Sequence, residues 1–339
     1  MVLKNYRTLA TTQVWDGTSQ TIITSLPRDF LSQRYIIDMF SDDIRCNGGT
    51  STLVTDAFLK CIDNIKIVAV GEGSSRTIWE TNGKDLYHMN EFDYGSAVEP
   101  LVVNTATTQG TCHTGFVIDL RCDKTNPDDF ATSLPTYLLS SLQLEITYLA
   151  PSAVTYGTNF PTSFNTDVTT TITCIEGIPE SNEDFSSNPL MTVLTKSLTA
   201  DTSTGVLEDF DTFFQVGALI TRDFVCFETS AGVRSDTECD NLQVKSGTIP
   251  IMSNILYRAN KSKDIQNYRI NEIFDGNYNV AGYTMIDFNN PRAPFIQTAG
   301  GLKIGGLSTV GYNTGDLIFS ANLTNASSIV RRIQTTIEG

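Results

Sequence analysis

The sequence predicts an all-β protein built as two similar β-sandwiches in tandem. Three observations carry this reading. Thr, Ser, Asn and Gly are abundant while Lys, Arg and Glu are sparse; the first group suits strands and turns, the second suits helix surfaces. Short runs rich in Val, Ile, Thr and aromatics recur along the whole chain, bounded by Gly, Pro, Asn or Asp. Matched fragments of the two halves also follow one another in the same order.

The strand-like runs begin with SQTIITSL and RYIIDMF. NIKIVAV and RTIWET follow, then PLVVNTAT, GFVIDLR and LQLEITYLA. Further on come TTTITCIEG, MTVLTKSLT, ALITRDFVCFE, NLQVKSG, AGYTMIDF, DLIFSANLT and SIVRRIQTTIE. Only short helical patterns interrupt them: LVTDAFLKCI (53–62), GKDLYHMNEF (83–92) and IMSNILYRANKS (251–262). Many strands with rare short helices describe a sandwich or a barrel. Alternation within the runs predicts an inner core of Ile36, Ile65, Ile67, Ile78, Phe116 and Ile118 in the first half. In the second half it predicts Phe224, Leu242, Val244, Ile249, Tyr283 and Ile286.

The duplication sets the domain organisation. Leu31-Ser-Gln-Arg34 recurs as Leu219-Ile-Thr-Arg222, and Asp63-Asn64-Ile65-Lys66-Ile67 as Asp240-Asn241-Leu242-Gln243-Val244. Thr77-Ile78 recurs as Thr248-Ile249, and Leu86-Tyr87 with Asn90 as Leu256-Tyr257 with Asn260. Gly115-Phe116 leading to Ile118-Asp119 recurs as Gly282-Tyr283 leading to Ile286-Asp287. The spacing shrinks from 188 residues (219 − 31) to 167 (282 − 115), as it would if the second copy had shorter loops. A chain of 339 residues accommodates two domains of ordinary size. The polar stretch PSAVTYGTNFPTSFNTD (151–167) reads as the link, giving domains 1–160 and 161–339.

Gly71-Glu72-Gly73 ends an apolar run, as the phosphate loop of a dinucleotide enzyme would. That fingerprint requires a third glycine and then a helix. Here Arg76 stands at the third position and another strand, Thr-Ile-Trp-Glu-Thr, follows. The matching stretch Lys245-Ser246-Gly247-Thr248-Ile249 is shorter, with one glycine. A hairpin turn tolerates that change and a phosphate cradle does not.

The formal net charge is −15, so the body of the protein repels nucleic acid. Lys4, Arg7 and the pair Arg331-Arg332 form basic termini, which read first as solvated tails and otherwise as contacts for phosphates or headgroups. The seven cysteines, at 46, 61, 112, 122, 174, 226 and 239, contain no CxxC and read as buried reduced thiols. The start MVLKNYRTLATT lacks the apolar stretch of a signal peptide, and no run of apolar residues reaches membrane-spanning length. The expectation is a protein made and assembled inside a cell.

No constellation for chemistry emerges. His88 and His113 are the only histidines, too few for a cupin metal centre. Adjacent Cys112 and His113 point to opposite faces of a strand and cannot form a nucleophile pair. The acidic stretches Glu208-Asp209-Phe210-Asp211 and Glu180-Ser-Asn-Glu183-Asp184 read as solvated turns, with weak calcium binding as the other reading. A glycosidase would need two facing carboxylates, which no pattern assigns. The sequons at Asn260, Asn322 and Asn325 matter only if the host glycosylates. We assign no catalytic, cofactor-binding or metal residue.

The order DAFLKCIDNIKIVAVG, TIWET, GKDLYHMNEF, and then ALITRDFVCFETSAGVRSDTECDNLQVKSGTIPIMSNILYRAN, resembles the double jelly-roll major capsid proteins of tailless icosahedral bacterial and archaeal viruses. The resemblance covers residues 20–125 and 205–290 best. It implies two tandem eight-stranded jelly-rolls with a few short helices, and no enzymatic activity. It also implies homotrimers that mimic hexagons, contacts with neighbouring capsomers and with minor or penton proteins, and a membrane or genome beneath the shell. The protein would then reside in the virion after assembly in the host cytoplasm. The other functional class is a carbohydrate- or receptor-binding sandwich, a spike or lectin, which would display exposed aromatics; Trp15 and Trp79 are the only tryptophans, and Trp79 is expected in a core.

Overall fold

The computed structural model describes residues 2–9, 13–44, 52–53, 56–71, 73–94, 112–121, 130, 132–154, 157–158, 167–180, 192–197, 201–209, 217–268, 280–288, 296–297, 303–304, 306–313 and 315–338. The chain splits into two compact units: Met1–Asn90 with Ala97–Val193, and Glu91–Ser96 with Leu194–Gly339.

The main strands of the first unit are β1 (Val2–Thr8), β2 (Gln13–Trp15), β3 (Gln20–Ser25), β4 (Leu31–Ser41), β5 (Ile62–Gly71), β6 (Ser74–Thr81), β7 (Cys112–Asp119), β8 (Ser141–Tyr148) and β9 (Val168–Pro179). Helix α1 (Gly83–Tyr94) follows β6. β9 pairs with β4 on one side and with β1 and β2 on the other, and β7 closes the far edge of β4. A second run has the order β6-β5-β8-β3. All of these pairs are antiparallel. The links β2–β3, β3–β4, β4–β5, β6–β7, β7–β8 and β8–β9 each carry the chain from one sheet to the other. That wrapping is a jelly-roll of eight strands, β2 to β9, with β1 added at an edge.

Period-two burial builds its core. β8 buries Leu142, Leu144, Ile146 and Tyr148 and leaves the residues between half-buried. β9 answers with Val168, Thr170, Ile172 and Cys174, and β4 with Tyr35, Ile37 and Met39. Trp15 stacks on Tyr148 with ring centroids 4.7 Å apart. Ile65, Ile67, Ile78, Phe116 and Ile118 are buried as the alternation predicts. Ile36 is not: it lies one step out of phase with Tyr35 and Ile37, half-buried against a separate cluster of Leu31, Phe130 and Ile175.

The main strands of the second unit are β10 (Asp201–Asp209), β11 (Leu219–Glu228), β12 (Cys239–Ser246), β13 (Ile249–Leu256), β14 (Tyr283–Asp287) and β15 (Leu317–Glu338), with α2 (Tyr257–Tyr268) after β13. β15 serves two sheets. Its stretch Leu317–Leu323 pairs with β12, while Ile329–Ile337 pairs with β11. β10 bends with it: Asp201–Ser203 lies against Ser328–Val330, and Gly205–Asp209 against Leu323–Ser320. β14 lies on the other side of β11, and β13 on the other side of β12. Counting each bent strand as two, the order of neighbours repeats that of the first unit, strand for strand. Ile220, Val225, Phe227, Leu242, Val244 and Phe319 centre its core. Phe224, Leu242, Val244, Tyr283 and Ile286 are buried as predicted, and Ile249, 68% exposed, is not.

Two expectations are corrected. The boundary at 160/161 falls inside the first unit, because Val168–Pro179 fills the place between β2 and β4 there. The helical pattern over 53–62 shortens to Ala57–Lys60, and that over 251–262 shifts to α2, since Ile249–Leu256 pairs with β12.

Candidate functional site

Most of the side chains that the duplication singled out act as clamps of the fold. In the first unit Arg34 stands opposite Asp119 across β4 and β7, with Nε 3.4 Å from Oδ2. In the second, Arg222 stands opposite Asp287 across β11 and β14. Register thus places the same residue pair at the same point of both jelly-rolls. The partners then diverge. Asp119 also accepts from buried Arg121, Nη2 to Oδ2 at 2.6 Å, whereas Asp287 accepts from the Tyr268 hydroxyl at 2.8 Å. Arg222 turns its guanidinium to Asp93, Nη2 to Oδ2 at 2.9 Å.

The repeated asparagines explain why each helix follows its hairpin. Asn90 Nδ2 donates to the Val117 carbonyl at 2.9 Å, and its Oδ1 accepts from the Val117 amide at 2.7 Å. Asn260 Nδ2 donates to the Met285 carbonyl at 3.1 Å and to Thr284 Oγ1 at 2.7 Å. A side-chain amide supplies both a donor and an acceptor, as an exposed strand backbone requires. The surroundings differ. Beside Asn90, α1 buries Leu86, Tyr87 and Met89 together with Lys84, Asp85, His88 and Glu91. Beside Asn260, α2 buries Lys261 and Asp264. Lys261 Nζ donates to the carbonyls of Tyr283 (2.7 Å) and Val280, and Asp264 Oδ2 accepts from Thr284 Oγ1 (2.6 Å) and the Met285 amide (2.8 Å). Burial pushes the Lys261 ammonium down and the Asp264 carboxyl up.

The basic C-terminus is internal. Arg332 is buried, with Nη2 2.5 Å from buried Asp223 Oδ2 and its guanidinium 4.4 Å from the Phe319 ring centroid. Arg331 Nη1 donates to Glu228 Oε2 at 2.8 Å. The expected solvated pair is instead bound into β15 because β15 is a central strand on both sides. At the N-terminus Arg7 Nη1 donates to Asp29 Oδ2 at 2.8 Å and lies 4.0 Å from Glu176 Oε2. Glu176 is fully buried, and burial raises its affinity for a proton despite Arg7 and the Asn5 side chain.

The glycine pair marks a hairpin. Gly71 and Ser74 close the β5–β6 ladder, and Gly73 has φ 82°. Its counterpart Gly247 has φ 55° between Ser246 and Ile249. Cys112 is buried while neighbouring His113 is exposed and sits 2.9 Å from Asp38, on opposite faces of β7. His88 is buried against Asp56, Nε2 to Oδ1 at 3.2 Å. Cys61, Cys112, Cys174, Cys226 and Cys239 are buried free thiols, and burial alone pushes Cys61 up to about 12. Cys46 and Cys122 lie outside the described residues, as do Asp211, Glu183 and Asp184 of the acidic stretches. Among the described residues, no three His, Cys, Asp or Glu side chains gather to hold a metal. Asn260 is buried, so its sequon is closed. Both tryptophans are core residues, Trp15 at 0% and Trp79 at 2% exposure.

Sequence reasoning missed the surface of β13. Ile249 (68% exposed), Ile251 (38%) and Leu256 (63%) gather on this one strand, which pairs with β12 and ends the sheet order. The only sequence signal was the absence of charge in GTIPIMSNIL.

No family model matches the chain, and no curated protein matches it. Solved structures do. The crystal structure of the STIV MCP is similar over 99% of this chain and 97% of its own, with a TM-score of 0.72 at 14% identity. The fold is the double jelly-roll. A chain of the atomic structure of Sulfolobus Turreted Icosahedral Virus gives a TM-score of 0.70 at 13% identity, covering 99% of this chain and 90% of that one. The major capsid protein P2 from Bacteriophage PM2 gives 0.58 at 12% identity, covering 98% and 97%.

Proposed function

We propose that this double jelly-roll is a major capsid protein that builds an icosahedral virus shell by self-association, without catalysis. The observation that carries the reading is the strand-for-strand repetition of one jelly-roll within one chain. Three such chains present six similar edges, and six-sided units tile a shell. Likeness to capsid protein structures over nearly the full length of both chains supports it. In this reading the protein forms homotrimers, meets neighbouring capsomers and penton or other minor proteins, and encloses a genome or a membrane. It is assembled in the host cytoplasm and resides in the virion. The ion pairs of Arg331 and Arg332 mean that these residues do not serve the inner face. The lectin or spike alternative gains no support from the tryptophans, which are buried.

Sedimentation velocity and negative-stain microscopy of the purified protein test the proposal. Trimers with a hexagonal outline, or particles, are expected. A strictly monomeric protein at high concentration would refute it.

A further inference from the structure

The two repeated helices part company one residue after their shared asparagine. Glu91 follows Asn90, and Lys261 follows Asn260. The fold therefore does not itself require an amine at this place. Lys261 is 7% exposed. Its Nζ meets the carbonyl oxygens of Val280 and of Tyr283, the latter at 2.7 Å, and stands 3.4 Å from Asp236 Oδ1. An ammonium has three donors, whereas the neutral amine has two and a lone pair. With its two hydrogens on the carbonyls, the amine keeps its lone pair for the third neighbour, Asp236. Burial, reinforced by Arg234, pushes the Lys261 ammonium down, against the opposing pull of Asp236 and Asp264. Desolvation is one of the ways a lysine becomes a nucleophile.

Asp236 is arranged as the matching electrophile. Its Oδ1 accepts from the Tyr257 hydroxyl at 2.6 Å and from the Gly282 amide at 2.7 Å. Two fixed donors on one carboxyl oxygen make an oxyanion hole: they hold the charge that grows on that oxygen when a nucleophile adds to its carbon. Tyr257 is buried, so this donor stays in place. The Asp236 side chain keeps 33% of its surface exposed, which gives a released water a way out.

We infer that Lys261 and Asp236 join in an intramolecular amide bond. Transfer of one proton from the ammonium to the carboxylate first gives an amine and a carboxylic acid. The Nζ lone pair then forms a bond to Cγ, and Oδ1 takes up the electron pair of its double bond under the Tyr257 and Gly282 donors. One Nζ proton passes to Oδ2, the C–Oδ2 bond breaks, the carbonyl re-forms, and one water leaves. Nothing is oxidised or reduced. The bond ties the turn ahead of β12 to α2, across 25 positions of the chain (261 − 236) that hold the β12–β13 hairpin. That hairpin ends its sheet order, so the bond would keep the last strands of the sheet from separating from α2.

Intact-mass measurement on the purified full chain, denatured and with its thiols reduced, reads the bond directly. Wild type is expected to be lighter than its sequence by one water, and a protease digest to yield a branched peptide joining residues 236 and 261. K261R and D236A are expected at full mass, with circular dichroism to show that each is folded. D236N, which can close only by releasing ammonia, should arrive at the same final mass as wild type. Wild type at full mass after prolonged incubation at neutral pH overturns the inference whatever the variants do. A missing water that persists in K261R overturns it as well, since an imide elsewhere would then explain the loss. None of these readouts involves assembly, so the capsid reading stands or falls separately.

Discussion

The first jelly-roll turns its corners with loops, and the second turns them within strands. β8 ends at Tyr148 and β9 begins at Val168. The equivalent passage in the second unit is a single strand, β15, bent at Ser327 with φ 61°. Left-handed backbone at a non-glycine residue needs support from its surroundings. Glu238 gives it. Its carbonyl accepts from the Thr324 amide at 3.0 Å, its Oε1 from Asn325 Nδ2 at 3.0 Å, and its Oε2 from the buried Ser328 hydroxyl. One buried carboxylate thus does what a long connection does in the first unit. The helices differ in detail as well: α2 binds the strand backbone through Lys261 and Asp264, whereas α1 buries His88 against Asp56. One topology is therefore held by two different chemistries, and their failures should differ.

The largest effect should be common to both units. Ile65→Asp and Leu242→Asp each place a charge at a fully buried core position, and each should cost about 3–5 kcal/mol. Loss of soluble yield and of assembly checks this; normal yield of either variant would show its placement wrong. Glu238→Ala comes next and should break the symmetry between units. It removes the acceptor of Asn325 Nδ2 and leaves the Ser328 hydroxyl with only the Asn325 carbonyl, at a cost of about 2–3 kcal/mol, and hydrogen exchange should rise along β15 and β10 while the first unit keeps its protection. Asn90→Ala should cost about 1–3 kcal/mol by unpairing the Val117 amide and carbonyl, and Asn260→Ala less, because Lys263 Nζ also donates to the Met285 carbonyl. Exchange of the Val117 amide would report Asn90→Ala, while Asn260→Ala, whose lost partners are Thr284 Oγ1 and the Met285 carbonyl, would be read from Tm; silence in both would mean that the asparagines are not clamps.

The smallest effect is a pH dependence of the first unit. Burial holds the folded-state pKa of Glu176 above its unfolded value. The folded protein then binds more protons in the window between the two values, so stability is fullest below the unfolded pKa and falls as pH rises through the folded one. Glu176→Gln should therefore raise Tm by a degree or more at neutral pH and change it little near pH 4. Equal Tm shifts at both values would remove the buried carboxylate as the cause.

Much of the fold was legible because its signals are local or repeated. Arg34 with Asp119 and Arg222 with Asp287 recur in order, and register makes each a cross-strand pair. Asn90 and Asn260 recur because both helices need the same amide against a strand backbone. Other matches slipped. Gly115 pairs with Asp38, whereas the residue in the equivalent place of the second unit is Tyr283, opposite Cys226. Gly282 has φ 77° with the Phe227 carbonyl oxygen 2.5 Å from any added Cβ, so this glycine answers to its own turn. The partners of Arg331 and Arg332 were invisible because they are distant in sequence, and charge near a chain end reads by default as solvated.

Taken alone, the order of amino acids determined the strand content, the doubling and most of the core, since alternation and turn residues act over a few neighbours. Tertiary structure decided where the first unit ends, which arginines are internal, and that β13 is left uncovered. Those outcomes depend on which surfaces come to face one another, and a bulge or a bend shifts that by whole residues without altering the local pattern.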